Sequence, residues 1–217
     1  MPASPRRALG AVAAVMGIVL VVVGAWIVVE LGASGAAQFS ATSKAPGAIV
    51  VPSDLLNAVD VPVRITATRS DGGAVLLAAA PSADAATILG TSAVSTVSAV
   101  QFPAGGLDLH ASGAGALPDI QTADIWRLAS KGVGSAELVV DQGRAPETVV
   151  VTSGDSTALK DVTVTVTWAD HAWFFEALAM ATIGAVLAAF AFNDLWQGRV
   201  VAVPSEIAES KTSQATT

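Results

Sequence analysis

The stretch DLHAS places Asp108, His110 and Ser112 at alternate positions, so on an extended strand all three side chains leave from one face. Aspartate, histidine and serine are the residue types of an orienting acid, a base and a nucleophile, a set suited to ester or peptide hydrolysis. The spacing argues against it. The base must hydrogen-bond both partners, whereas neighbours two apart on a strand stand parallel and too far from one another. Ser135 in GVGSA resembles a nucleophile elbow only superficially, because the serine is fourth in the pentapeptide and not third. An envelope serine hydrolase using Ser112 or Ser135 is therefore the alternative reading, and no catalytic residue is assigned.

Metal and cofactor chemistry find no better footing. The chain has two His and no Cys, so a metal site would rest on carboxylates, and no D-x-D-x-D-G loop is present. His171 lies beside Asp170 but has no further ligand nearby in sequence. Gly113, Ala114 and Gly115 lack the spacing and the flanking strand and helix of a phosphate-binding loop. No metal and no cofactor are expected. The formal charge is −7 with scattered Lys and Arg, which leaves no basic face for nucleic acid.

The remaining chemistry is that of burial. Of 217 residues, 53% are hydrophobic and only 13% charged, against about 25% charged in soluble domains. Residues 8–30 form the first transmembrane segment. From Ala8 to Val29 there are 22 residues without a charge, about 33 Å of helix at roughly 1.5 Å per residue, matching a hydrocarbon core of about 30 Å. Arg6 and Arg7 precede it and Glu30 follows, which puts residues 1–7 in the cytoplasm. The rival reading, a signal peptide cleaved near Ser34 to Ala37, suits a shorter apolar core. A second segment, residues 173–195, carries Trp173 and Trp196 near its ends and Arg199 beyond, and returns the chain to the cytoplasm. Residues 196–217 read as a short, polar, disordered tail.

Both segments carry small residues in register. Gly10, Gly17 and Gly24 recur every seven positions, with Ala13 near Gly17; Ala177, Ala181, Ala185 and Ala189 recur every four. Such faces let helices approach closely in lipid, within a hairpin, in a homo-oligomer or against a membrane-protein partner. Glu176 is an intramembrane carboxylate near the boundary; in the helix's first turns the helix dipole favours it, and snorkelling explains it without a proton relay.

Between the segments, residues 35–171 form an extracytoplasmic domain with seven Lys and Arg against thirteen Asp and Glu, a balance of −6 that favours solubility and disfavours adhesion to anionic lipid. Val61 to Thr68 alternates as a half-buried strand, Ser70 to Gly73 is a turn, and Ala74 to Ala80 is a more buried strand, together a hairpin. Ser82 is placed to cap a helix over Ala83 to Leu89 ending at Gly90. Ala93 to Phe102 reads as extended and Pro103 to Pro118 as a loop. Strands follow at Ala123 to Ala129, Ala136 to Val140, Thr148 to Thr152 and Val162 to Trp168. Trp126 and Trp168 read as core anchors; a ligand-binding module would line its pocket with one of them. The fold class is thus two transmembrane helices flanking an antiparallel, β-sandwich-like domain with one short helix.

The pieces VLLAAAPSADAATILG, ADIWRLASKGVGSAELVV, ETVVVTSGDS and VTVTVTW, followed by a membrane helix, resemble a group of uncharacterised actinobacterial two-pass membrane proteins with an extracytoplasmic β-rich domain. The likeness runs from Val75 to Trp168, and this chain lacks a further Trp between Arg144 and Glu147 that the pattern would carry. It implies architecture and an envelope location, and no activity. The reading that results is a non-enzymatic two-pass protein whose external domain serves binding, sensing or assembly, with the lipid bilayer as one partner. The alternatives are the hydrolase above and a small-ligand-binding module.

Overall fold

The computed structural model describes residues 5–141, 146–155, 159 and 161–200; residues 1–4, Arg144, Lys160 and the polar tail lie outside these. In chain order the elements are α1 (Pro5–Leu31), β1 (Ala36–Ser43), β2 (Ala48–Val51), α2 (Ser53–Leu56), β3 (Val63–Arg69), β4 (Ala74–Pro81), α3 (Ser82–Leu89), β5 (Val94–Gln101), β6 (Gly106–Ser112), β7 (Leu128–Val133), β8 (Ser135–Val140), β9 (Glu147–Ser153), β10 (Val162–Ala169) and α4 (His171–Val200). The chain divides into two units, one holding α1 and α4, the other spanning Ser34–His171.

In the helical unit, Leu9–Leu31 and His171–Asn193 are each long and apolar enough to cross a membrane, with mean hydropathy 2.9 and 1.9. The two helices run antiparallel with their backbones close. A methyl group added at Gly17 would come within 2.6 Å of the Ala188 nitrogen and 2.7 Å of the Gly184 oxygen; one at Gly24 would meet the Ala181 nitrogen at 2.7 Å and the Ala177 oxygen at 2.8 Å. Seven residues forward on α1 correspond to seven back on α4, and Gly10 is half-buried while Ala191 is buried on α4. The expected ridge of alanines spaced by four needs correction: Ala177 and Ala181 face α1, but Ala185 and Ala189 are exposed, and Gly184 and Ala188 take the seam. At 3.6 residues per turn, a step of four drifts about 40° around the helix and a step of seven only about 20° the other way, so a seven-residue repeat holds a seam that a four-residue repeat leaves. Glu176 is exposed. Helix α4 begins at His171, so Trp173 lies inside its first turn.

In the other unit ten strands form one sheet, in the order β7-β4-β9-β2-β5-β6-β1-β10-β3-β8. Pairing is antiparallel except for β2 with β5 and a single bridge of β1 with β6. The edge strands β7 and β8 are consecutive in the chain, joined through Gly134 at φ +76°. The sheet therefore curls into a near-barrel, and the expected sandwich is corrected to one sheet closing toward itself. The expected β3–β4 hairpin is also corrected: β3 bonds to β10 and β8, β4 to β9 and β7, and the turn between them crosses the seam. Backbone bonds from the Arg69 amide to the Gly134 carbonyl (2.8 Å) and from the Gly134 amide to the Gly73 carbonyl (3.0 Å) tie that seam.

Strand composition follows what covers each face. In β10 Val162, Val164, Val166 and Trp168 are buried inward while Thr163, Thr165 and Thr167 are half-buried outward, the alternation of a sheet covered on one side. All seven residues of β9 are buried, as are six of the eight in β4. Here α3 and the segment before β7 cover the outer face: Ala48, Ala80, Ala85, Leu89, Ile120 and Val150 form an outer core, with Trp126 against it. Two-sided cover removes the need for polar alternation, hence the runs AVLLAAA and TVVV. Inside, Trp168 meets Phe39 edge to face at 5.8 Å. Three local expectations change. Ser82 opens α3 after an N-cap at Pro81, and its hydroxyl bonds Ser53 (3.0 Å) and Thr148 (2.9 Å). The expected loop from Pro103 to Pro118 contains strand β6, paired with β5. The strand expected at Ala123 begins at Leu128.

Register fixes two ends. Ala36 lies opposite Ala169, and Val63 opposite Trp168, at the end where the chain leaves for α1 and α4. Ser43 and Arg69 lie opposite Val162 at the far end.

Candidate functional site

A cleft of about 630 Å³ opens at the far end, lined by Pro46, Gly47, Ala93, the run from Ala114 to Gln121, Thr152, Ser153 and Leu159. Glycine builds its rim. Gly47 (φ +127°) and Gly113 (φ +68°) bring the chain so close to the Ala93 and Ser92 carbonyls that a Cβ would overlap them. Backbone bonds then lace the rim: Ala93 amide to Gly115 carbonyl at 2.9 Å, Gly115 amide to Thr91 carbonyl at 2.9 Å, Ala48 amide to Ala93 carbonyl at 3.2 Å. The Ser92 hydroxyl donates to the Ala116 carbonyl (3.1 Å).

The run behind the rim is held by its own polar bonds. The Trp126 indole donates to the Ile120 carbonyl at 2.6 Å, fixing Ile120 in the outer core. The Gln121 amide donates to Asp119 (3.1 Å), and Lys131 donates to the Gln121 side chain (3.2 Å). A cleft with aliphatic walls, backbone polar groups and one ionisable lining side chain, Asp119, can bury an uncharged ligand or a short apolar segment. Neither tryptophan lines it. Trp168 is buried and donates to the Leu56 carbonyl at 3.5 Å.

The same end holds an ion-paired corner. Arg69 is buried; its Nε and Nη2 donate to the two Asp71 oxygens at 2.9 and 2.6 Å, its Nη1 donates to the Ala74 carbonyl at 3.1 Å and stands 3.7 Å from Asp155. The hydrogen bond from Arg69, joined by the Gly73 amide, holds the Asp71 carboxyl below its ordinary range, and the same pairing raises Arg69 against the opposing effect of burial. At the other end of β9, Glu147 is also buried, yet among the described residues neither carboxylate oxygen finds a hydrogen-bond donor, and Arg127 stands 3.7 Å away.

The residues singled out for hydrolysis are not brought together. Asp108, His110 and Ser112 are exposed along β6, and Asp108 accepts from Gln101 at 2.5 Å. Ser135 is exposed at the start of β8, opposite Thr68. Among the described residues no three His, Cys, Asp or Glu converge as metal ligands. Sequence reasoning missed the cleft because its lining is dispersed among β2, β5, β9 and an irregular run; the signal on offer was glycine at 47, 113 and 115. No protein-family model, no curated protein and no solved structure matches this chain.

Proposed function

We propose that the chain is a two-pass protein of the cell envelope, both termini cytoplasmic, whose β-rich domain lies outside the membrane and binds, senses or assembles with a partner there without catalysing a reaction. One observation carries the reading. The windows of α1 and α4 that are apolar enough to span are only 11% and 17% buried, and Leu9, Val12, Val15, Val22, Phe175 and Phe190 turn outward. That much apolar surface in water would be strongly unfavourable at about 25 cal/mol per Å², and lipid removes the cost. The excess of arginine before α1 supports this orientation.

The cleft favours binding and sits at the end remote from the chain's exits into the helices. A photo-crosslinking residue at Leu117 in the full-length protein, expressed in its own envelope, should trap a defined species, while the same residue at Ala111 on exposed β6 should not. Equal trapping at both positions, or none at Leu117, contradicts a binding role for the cleft. Its volume also favours the second reading, a small-ligand module, which predicts that the trapped species is a small molecule.

A further inference from the structure

We infer that the far-end cleft takes an extended, uncharged peptide segment of a partner, bonded through its backbone to Leu117 and Asp119 and held by the Thr152 hydroxyl; this rests on the cleft being a binding site. β2 leaves its lane in the sheet early. Toward the far end its pairing stops at Ile49 with Val151 of β9 on one side and at Ala48 with Val94 of β5 on the other. Gly47, at φ +127°, then passes tightly against the Ala93 carbonyl, while β9 continues through Thr152 and Ser153. Pro46, Gly47, Ala93, Thr152 and Ser153 all line the cleft, so it opens where β2 would run had it continued.

Two observations point to a peptide backbone as the occupant. Pro118 restricts Leu117 to extended conformations, and an extended chain turns the amide and carbonyl of alternate residues to one edge. Among the described residues the amide and carbonyl of Leu117 and the amide of Asp119 take part in no hydrogen bond. Donor, acceptor, donor along one edge is what an added strand reads, and Pro118, which has no amide, falls on the other edge. The second observation is Thr152, only 4% exposed and lining the cleft. Its hydroxyl has no hydrogen-bond partner among the described residues, whereas the buried hydroxyls of Ser43, Ser92, Ser95, Thr148 and Ser153 each have one. A buried hydroxyl left unpaired is costly, and a ligand carbonyl would satisfy it. Walls of Pro46, Gly47, Ala93, Ala114 and Ala116 admit small side chains. Asp119 and the domain's balance of −6 repel acidic ones.

Amide hydrogen exchange on the full-length protein in phosphatidylcholine nanodiscs tests this, with a pool of end-blocked pentapeptides of Ala, Val, Thr and Ser as the probe. Expected is slower exchange at Leu117 and Asp119 and no change at Ala111. The same pool with alternate backbone amides methylated should give no protection, and a pool with Asp at the centre should give less. Thr152→Val should weaken binding of the unmodified pool about fivefold, the loss of one hydrogen bond. Equal protection by the methylated pool, or none by the unmodified pool, overturns the inference, and that comparison needs no variant. Unchanged affinity in Thr152→Val removes the hydroxyl from the contact. A photo-crosslinking residue at Leu117 separates this inference from the reading beneath it. A small molecule trapped there overturns the peptide and leaves the cleft a binding site, whereas no trapped species overturns both.

Discussion

The two ends of the sheet domain solve the problem of a buried charge differently. At the far end Arg69 is enclosed but every direction of its guanidinium is used, by Asp71 in bidentate form, by the Ala74 carbonyl and by Asp155 nearby. At the exit end Glu147 is enclosed, its oxygens accept no hydrogen bond from the described residues, and Arg127 stands 3.7 Å away. A buried ion stabilises only when the lost hydration is replaced by close, directed partners. The far end is therefore a locked corner closing the sheet's seam, whereas the exit end tolerates an unfavourable group at the start of β9, between β4 and β2.

The largest expected effect lies in the helical unit, at the seam of α1 and α4. Gly24→Leu forces side-chain atoms into the Ala177 and Ala181 backbone, and overpacking there should cost up to about 3 kcal/mol. The thermal midpoint in detergent should fall while the tryptophan spectrum of the domain persists. Next is Arg69→Met, which removes charged hydrogen bonds worth about 2 kcal/mol and lowers the urea midpoint. Glu147→Gln should act with opposite sign, raising that midpoint by about 1 kcal/mol or less, because an unsatisfied carboxylate is replaced by a neutral amide. Equal destabilisation by both substitutions would erase the contrast between the ends.

The smallest effect is on pH dependence. Asp71 has its carboxyl lowered in the folded protein by Arg69, so its contribution is complete above the unfolded value of about 3.9 and is lost as pH falls through the lower folded value. Unfolding followed from pH 5 to pH 2 should show a smaller decline in Asp71→Asn than in the parent. An unchanged profile would mean that the pairing does not stabilise the corner.

What was readable in the sequence depended on how many faces of an element are covered. β10 and β3 alternate because one face meets solvent, and their limits fall within two residues of the pattern. Gly17 and Gly24 of the seven-residue repeat likewise lie against α4, since seven residues nearly complete two turns. β4 and β9 lose their alternation to an outer cover that no local pattern announces, and the partner of β4 across the seam is set by closure of the whole sheet. β6 is hidden by glycines at 105, 106 and 113, which read as loop, yet Gly113 marks a close approach to the Ser92 carbonyl. Glu147 gave no signal, because burial of a strand's first residue depends on its neighbours in space.

The orientation of the domain is the claim on which the rest depends. Val133 is 86% exposed at the far end, and Ser213 lies in the polar tail, so single cysteines at these positions can be offered a membrane-impermeant maleimide on intact cells. The account predicts labelling of Val133→Cys on intact cells and of Ser213→Cys only after lysis. Labelling of Val133→Cys only after lysis would contradict it.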